Sequence, residues 1–201
     1  AMQAYCADYQ AYLERNNARH GGMKKPLDPA PRVIMVPGLG LFGLGASRTD
    51  ARIAADLAET NIDVITAAET LGRYEVIDEA DLFDIESWSL EQAKLGKTAE
   101  RPLARHVVVG AGGASGIGAA TAQAFRAEGA EVVIIDVDEA AVDARAREIG
   151  ALGLVYDVTR PEAIQNAFNK IAAAYGGVDI VVSNAGAAWP GNFLAVALHT
   201  D

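Results

Sequence analysis

Just past its midpoint the chain reads Gly110-Ala111-Gly112-Gly113-Ala114-Ser115-Gly116-Ile117-Gly118, a stretch in which five of the nine residues are glycine. Residues 106–109 before it are a His followed by three β-branched valines, which is typical of a buried strand. The residues after it have helical periodicity up to Gly129, and one helix face would carry Ile117, Ala120, Thr121, Ala124 and Phe125. This order of strand, glycine-rich loop and helix predicts the start of a parallel α/β sheet.

The same alternation continues after this unit and predicts the topology. Apolar runs at residues 132–135, 152–156 and 179–182 predict three more strands, with helices between them at about 138–150 and 159–175. The last helix would open with a capping box of Thr159 and Glu162, and its buried stripe would consist of Ile164, Phe168, Ile171 and Tyr175. Right-handed crossovers then predict an α/β fold with a partial doubly wound parallel sheet of the Rossmann type, strand order 3-2-1-4.

The glycine-rich loop is suited to a pyrophosphate. Glycines let the backbone approach the phosphates, and the free N–H groups of the following helix meet their charge. Asp136 ends the second strand 18 residues after Gly118, close to the spacing of a carboxylate that binds the adenosine ribose hydroxyls. Loop and carboxylate together predict dinucleotide binding. A tight structural turn is the alternative for the glycines alone.

These residues resemble the short-chain dehydrogenase/reductase family, whose glycine motif matches Gly112, Gly116 and Gly118. Asp157-Val158 is similar to the family's adenine-contacting pair, and Asn184-Ala185-Gly186 to its structural Asn-Ala-Gly signature. The family usually has Thr at the position of Ala111, so one loop hydrogen bond would be lost here. The resemblance implies a set of cofactor-binding residues: Gly112, Ala114, Ser115, Gly116, Ile117, Gly118, Asp136, Val137, Asp157, Val158, Asn184, Ala185 and Gly186.

The charge at the end of the second strand favours NAD over NADP as the cofactor. Asp136 would face the 2′-phosphate of NADP, and Val137 beside it supplies no cation to neutralise that phosphate. Ser115 stands where NADP-preferring relatives often have a basic residue. Both positions predict NAD.

The first half of the chain is expected to form a smaller α/β or mainly helical segment, with the domain boundary between residues 98 and 99. Helices are predicted at residues 5–16, where Tyr5, Tyr9 and Tyr12 share one face, and from Ser47, whose capping box uses Asp50, to Gly72. Residues 33–36 predict a buried strand that enters a glycine-rich turn.

That turn, Gly38-Leu39-Gly40-Leu41-Phe42-Gly43, also fits the bare dinucleotide pattern. Its large apolar side chains would crowd a phosphate, the helix begins several residues later, and no second strand ending in an acid follows. We therefore expect no nucleotide there.

The first half resembles the inter-domain region of the bifunctional rhamnulose-phosphate aldolase/alcohol dehydrogenase family, in residues 28–43, 51–57, 72–75, 81–84 and 90–95. In that family a class II aldolase domain precedes a short-chain dehydrogenase domain, so residues 1–98 would be an aldolase-tail-like segment. We expect no metal site: His20 is interpreted as a loop residue, and the carboxylates at residues 75–86 as a solvated face, because no His or Cys lies among them.

The catalytic residues of the family are not found. Its general acid/base is a Tyr with a Lys four residues later, and none of the six tyrosines has such a Lys. We interpret the chain as residues 1–98 followed by the N-terminal half of an NAD-binding domain (99–201), a fragment that is inactive alone. The parent enzyme would be an oxidoreductase for a secondary alcohol or carbonyl, with a sugar-derived small-molecule substrate. The alternative is a non-catalytic dinucleotide-binding or domain-coupling module attached to a class II aldolase.

Composition limits the partners and the compartment. A net charge of -10, without a compensating basic stretch, argues against nucleic acid as a partner. One cysteine and the absence of long apolar stretches predict a cytoplasmic protein with no membrane contact. The strand at 179–182 would leave an exposed sheet edge, so we expect either residues 33–36 or a second chain to cover it. A homo-oligomer is the expected assembly.

Overall fold

The computed structural model describes residues 2–93, 95 and 100–186. The chain forms two compact units, Ala1–Glu100 and Arg101–Asp201. The boundary predicted between residues 98 and 99 lies outside the described residues.

The first unit is mainly helical. It consists of helix α1 (Met2–Asn17), a short 3-10 helix (Ala18–His20), strands β1 (Val33–Val36) and β2 (Gly40–Gly43), and helices α2 (Arg48–Leu71), α3 (Glu79–Glu86) and α4 (Ser89–Gln92). As the capping box predicts, the Ser47 hydroxyl caps α2 by accepting from the Asp50 backbone N–H, and Gly72 ends the helix. β1 and β2 form an antiparallel hairpin.

The prediction of a buried strand at residues 33–36 was wrong. β1 is at best half-buried, with Met35 67% exposed, because among the described residues its only sheet partner is the neighbouring short strand β2. The expected pairing of residues 33–36 with the strand at 179–182 is not among the strand pairs of the described residues.

Helix α3 packs against α1 through one buried ring. Phe83 is 2% exposed and contacts the rings of Tyr12 and His20, with centroid distances of 5.5 and 5.7 Å. His20 lies in the 3-10 helix, not in a loop as predicted, and its Nε2 lies 2.8 Å from the Asp84 carboxylate.

The acidic stretch is not simply a solvated face. Glu79 accepts two hydrogen bonds from the Arg15 guanidinium at 2.7 Å and one from Asn16, and Glu86 accepts one from the Tyr12 hydroxyl. The Arg15 and Asn16 bonds lower the pKa of Glu79 to about 2. The described residues contain no group of three or more His, Cys, Asp or Glu side chains that could hold a metal ion.

The second unit has the predicted α/β fold. Its elements are β3 (Val107–Ala111), α5 (Gly116–Ala127), β4 (Glu131–Asp136), α6 (Glu139–Ile149), β5 (Leu152–Val155), α7 (Pro161–Tyr175) and β6 (Ile180–Ser183). All strand pairs are parallel and the order is β5-β4-β3-β6, which confirms the predicted order 3-2-1-4.

Helices cover both faces of this sheet. One face packs residues such as Val109 and Ile135 against Ala167 and Ile171 of α7, and the other packs Ile134 and its neighbours against α5 and α6. β4 is central, and Val132, Val133, Ile134 and Ile135 are at most 3% exposed. The loops at the carboxyl ends of β3 and β4 are therefore held by a rigid core.

Two local predictions in the second unit were wrong. The buried face of α5 is formed by Gly118, Ala119 and Ala122, whereas Ile117 is 79% exposed, because the helix turns Gly118 toward the loop that precedes it. In α7 the N-cap is Arg160, because Pro161 starts the helix and the Thr159 hydroxyl donates instead to Asp157.

The buried stripe of α7 differs in part from the prediction. Ala167 and Ile171 are buried, Phe168 and Tyr175 are half-buried, and Ile164 is 39% exposed. In the described part of the chain, no helix combines the length and the apolar character needed to span a bilayer.

Candidate dinucleotide-binding site

The glycine-rich loop joins the carboxyl end of β3 to the first residue of α5. Backbone hydrogen bonds hold its start, since the Gly112 and Gly113 N–H groups both donate to the Ile135 carbonyl, at 2.8 and 3.3 Å. Gly112 and Gly116 have φ values of +67° and +53°, a region that residues with a side chain rarely adopt. The conformation of the loop thus requires glycine at two of the three motif positions.

Close packing also requires glycine, both at Gly112 and at Gly118. At Gly118 it is the reason for glycine, because that residue has no positive φ. A Cβ atom on Gly112 would lie 2.8 Å from the Cα of Ala185. A Cβ atom on Gly118 would overlap the Gly112 carbonyl oxygen and lie 2.6 Å from Nδ2 of Asn184. The first turn of α5 therefore lies directly against the loop and the segment after β6.

Asn184 connects these parts. Its Nδ2 donates to the Gly112 carbonyl at 3.1 Å, and its backbone N–H donates to the Ala111 carbonyl at 3.2 Å. The Asn-Ala-Gly segment thus holds the glycine loop directly, with Ala185 against Gly112, and Ala185 and Gly186 are exposed.

The start of α5 is suited to an anion. Ser115 is the N-cap in an extended conformation, its side chain makes no capping hydrogen bond, and the first turn contains no acidic residue. The N–H groups of a helix's first turn have no carbonyl partner within the helix, and the helix dipole adds positive potential there. A phosphate at this end of α5 would be stabilised by both the unpaired N–H groups and the helix dipole.

Asp136 lies at the end of β4, beside the loop. One carboxylate oxygen accepts from the Ala114 N–H at 3.2 Å and the other from the Val137 N–H at 2.8 Å. Because a carboxylate has about four acceptor positions, it retains capacity for ligand hydroxyls. The Val137 side chain is 66% exposed and brings no positive charge.

The Asp157–Val158 pair follows β5. The Asp157 carboxylate accepts from the hydroxyl and the backbone N–H of Thr159, at 2.7 and 2.9 Å, and these bonds, the hydroxyl first, lower its pKa. Val158 packs against the core cluster that includes Val109. This pair shapes the turn after β5, and no contact joins it to the glycine loop among the hydrogen bonds of the described residues.

One position of the loop was missed at the sequence level. Gly113 is buried, and a Cβ atom there would lie 2.8 Å from the Gly110 carbonyl oxygen and 3.1 Å from the Ile134 side chain. The doublet Gly112-Gly113 was a signal for this, because a second adjacent glycine is unnecessary for a turn alone.

Two family models match the chain. Residues 1–95 match the second domain of class II aldolase, and residues 110–200 match a model described as enoyl-(acyl carrier protein) reductase. Among solved structures, a metagenomic short-chain oxidoreductase in complex with NADP is 34% identical with a TM-score of 0.45, over 47% of this chain and 45% of that one.

Curated relatives match either nearly all or less than half of the chain. The uncharacterized oxidoreductase YuxG of Bacillus subtilis is 35% identical over 195 residues, which cover 93% of this chain and 28% of that protein. The probable oxidoreductase EphD of Mycobacterium bovis is 49% identical over 43% of this chain and 15% of its own length. L-fucose dehydrogenase of Bos taurus is 43% identical over 40% of this chain and 30% of its own length.

The chain thus spans less than a third of the length of each of these relatives. In the second half, the glycine motif, the parallel sheet and the match to a reductase model all indicate an oxidoreductase. The first half matches an aldolase domain. The second half of the chain is similar to the short-chain dehydrogenase/reductase family, and the first half is similar to the second domain of class II aldolase.

Proposed function

We propose that the second unit binds NAD and supplies the cofactor half of a dehydrogenase for secondary alcohols or carbonyl compounds. The observation that carries this proposal is the packing of the glycine loop, where Gly112 and Gly118 leave no room for a side chain and α5 starts at Gly116. A loop of this kind lets a pyrophosphate reach the backbone N–H groups. NAD would supply the hydride acceptor, and the protein would supply binding and orientation.

Thirteen residues are assigned to the cofactor. In this assignment Gly112 and the first turn of α5 would hold the pyrophosphate, Asp136 would bind the ribose hydroxyls, and the Asp157 turn would contact the adenine. The assigned residues are Gly112, Ala114, Ser115, Gly116, Ile117, Gly118, Asp136, Val137, Asp157, Val158, Asn184, Ala185 and Gly186.

The preference for NAD rests on charge. The Asp136 carboxylate is already fixed by the N–H groups of Ala114 and Val137, so it cannot easily turn away from a 2′-phosphate. Neither Ser115 nor Val137 offers a cation to offset the resulting repulsion. We expect NAD to bind at least about tenfold more tightly than NADP, or about 1.4 kcal/mol.

The substrate class is a sugar-derived alcohol or carbonyl compound. Support comes from the aldolase-like first half and from the relative named L-fucose dehydrogenase. Hydride transfer from an alcohol also needs a base that takes the hydroxyl proton. No tyrosine of this sequence has a Lys four residues later, so we expect this chain to bind NAD without turning over an alcohol.

A second candidate function follows from the same observation. A chain that binds dinucleotide but lacks a Tyr and Lys pair could serve as a binding or coupling module beside an aldolase. An NADH absorbance assay with a panel of sugar alcohols tests catalysis by this chain. Turnover that persists after repurification and is lost in Asp136→Ala would contradict the expected inactivity.

Calorimetric titration of the chain with NAD, NADH and NADP tests the binding proposal. We expect Asp136→Ala to weaken NAD binding and narrow the difference between NAD and NADP. The matched control is Asp143→Ala, which removes an exposed carboxylate on α6 that pairs with Arg147. Equal affinities of the unaltered chain for the two cofactors would refute the role of Asp136, and no binding at all would refute the site.

A further inference from the structure

The end of strand β4 holds three consecutive backbone N–H groups of the glycine loop. The Ile135 carbonyl accepts from the Gly112 and Gly113 N–H groups, at 2.8 and 3.3 Å. The next N–H group, that of Ala114, donates to Oδ2 of the Asp136 carboxylate at 3.2 Å. The first two contacts use a backbone acceptor, whereas the third uses a side chain. A substitution at Asp136 can therefore remove the third contact and leave the strand intact.

The buried position of Ala114 makes this contact important for the loop. Ala114 is 6% exposed and belongs to the core cluster that includes Ala122 of α5 and Val142 of α6. A backbone N–H group that is buried without an acceptor is destabilising, because it has lost its bond to water and gained no other. Without the Asp136 carboxylate, the loop would have to shift or admit water at Ala114.

The carboxylate can hold the loop and a ligand hydroxyl at the same time. Oδ1 accepts from the Val137 N–H at 2.8 Å and from the Asp138 N–H at 3.5 Å. Oδ2 accepts from Ala114, and a carboxylate oxygen has about two acceptor positions, so Oδ2 retains one. A hydroxyl that donates to Oδ2 need not displace the loop.

We propose that Asp136 is a positioning residue for the glycine loop, in addition to its role as an acceptor for the ribose. Its bond to Ala114 fixes the loop before a dinucleotide arrives. It thereby sets the start of α5 at Gly116, two residues later, where the N–H groups of the first turn have no partner within the helix. Asp136 then supports phosphate binding through the loop, without touching the phosphate. This last step rests on the proposed function, whereas the loop contact does not.

Amide exchange of the ligand-free chain, measured by NMR at single residues, tests the loop contact. We expect the Ala114 amide to exchange about tenfold faster or more in Asp136→Ala, because its acceptor is gone. Asp136→Asn should stay close to the unaltered chain, since the amide oxygen of Asn can still accept. The Ile134 amide in the same strand reports on global unfolding and should not change. The matched control is Asp143→Ala, which removes an exposed carboxylate that pairs with Arg147.

Binding of an NAD analogue tests the effect on phosphate binding. In this analogue hydrogen replaces the 2′ and 3′ hydroxyls of the adenosine ribose, so Asp136 has no ribose hydroxyl to accept from. Asp136→Ala and Asp136→Asn both lack the negative charge and differ in the acceptor for Ala114. We expect the Ala variant to bind the analogue about threefold to tenfold more weakly than the Asn variant in calorimetric titration. A role of Asp136 on the ribose alone predicts equal affinities.

The two experiments separate this proposal from the proposed function. Unchanged Ala114 exchange in Asp136→Ala would overturn the positioning role, whether or not the chain binds NAD. Equal affinities of the two variants for the analogue would overturn it as well. Faster Ala114 exchange in Asp136→Ala supports the loop contact even if the unaltered chain binds no NAD, a result that would refute the proposed function instead.

Discussion

The chain contains two glycine-rich segments that follow a strand, residues 38–43 and 110–118, and they have different structures. In the first, Gly40–Gly43 is itself a strand that returns along β1, and helix α2 starts only at Arg48. In the second, Gly116 is the first residue of a helix and the preceding strand pairs in parallel. The spacing of the glycines alone does not distinguish the two segments. They differ in the element that follows the turn, which is strand β2 from Gly40 in the first segment and helix α5 from Gly116 in the second.

The glycines also serve different physical needs. Gly38 and Gly40 have φ values of +80° and +126° but open space around them, so they are needed only for the turn and its exit. Gly112 and Gly118 lie where a Cβ atom would collide with backbone or with Asn184. Gly38 and Gly40 thus serve the backbone of a hairpin turn, whereas Gly112 and Gly118 allow the close packing of a loop against a helix and Asn184.

The largest expected effect concerns the core that supports the second segment. Ile134 of β4 is fully buried beneath the loop region, so Ile134→Ala should lower the free energy of unfolding of the second unit by about 2–5 kcal/mol. Leu39 in the hairpin turn is 77% exposed, and Leu39→Ala should change stability by about 0.5 kcal/mol or less. Urea denaturation followed by circular dichroism measures both. Equal losses of unfolding free energy in the two variants would contradict the difference between a supported loop and an exposed hairpin turn.

Glycine substitution sharpens the contrast further. Gly118→Ala should reduce NAD affinity about a hundredfold or more, about 2.7 kcal/mol, because the loop must move away from α5. Gly43→Ala is the matched control. Its Cβ atom would likewise overlap a backbone oxygen, that of Ala51, but Gly43 lies in the first unit, outside the proposed site. It should cost about 1–3 kcal/mol of stability and leave NAD affinity unchanged. Calorimetric titration that shows similar loss in both variants would contradict the assignment.

The smallest expected effect concerns the acid sensitivity of the first unit. Glu79 has its pKa lowered to about 2, so its stabilising contribution is present above its ordinary pKa of 4.5 and is lost as the pH falls toward 2. Arg15→Gln should raise the pKa of Glu79 toward 4.5, and Arg147→Gln in the second unit should not change it. Carboxyl carbon shifts in an NMR titration give both values. An unchanged pKa in Arg15→Gln would show that the Arg15 pair does not form.

The sheet of the second unit was predictable because alternation of strands and helices permits few topologies. The apolar runs before Gly110 and Asp136 located β3 and β4, and the rule of right-handed crossovers then predicted the strand order. The N-cap of α2 was predictable because Ser47 and Asp50 act locally.

Features that depend on contacts distant in sequence were not predictable. Apolar periodicity placed Ile117 on the buried face of α5, but the contact of Gly118 with Gly112 and Asn184 sets the rotation of that helix. The bond from Arg15 to Glu79 joins residues 64 positions apart. A count of carboxylates could not reveal that pairing.

Hydrogen–deuterium exchange with and without saturating NAD tests the central claim most directly, because it reports on both glycine segments in one experiment. We predict slower exchange at residues 112–118 and 136–137 when NAD is bound, and unchanged exchange at residues 38–43. Protection at residues 38–43, or saturable NAD binding without protection at residues 112–118, would contradict the assignment of the second segment as the dinucleotide site.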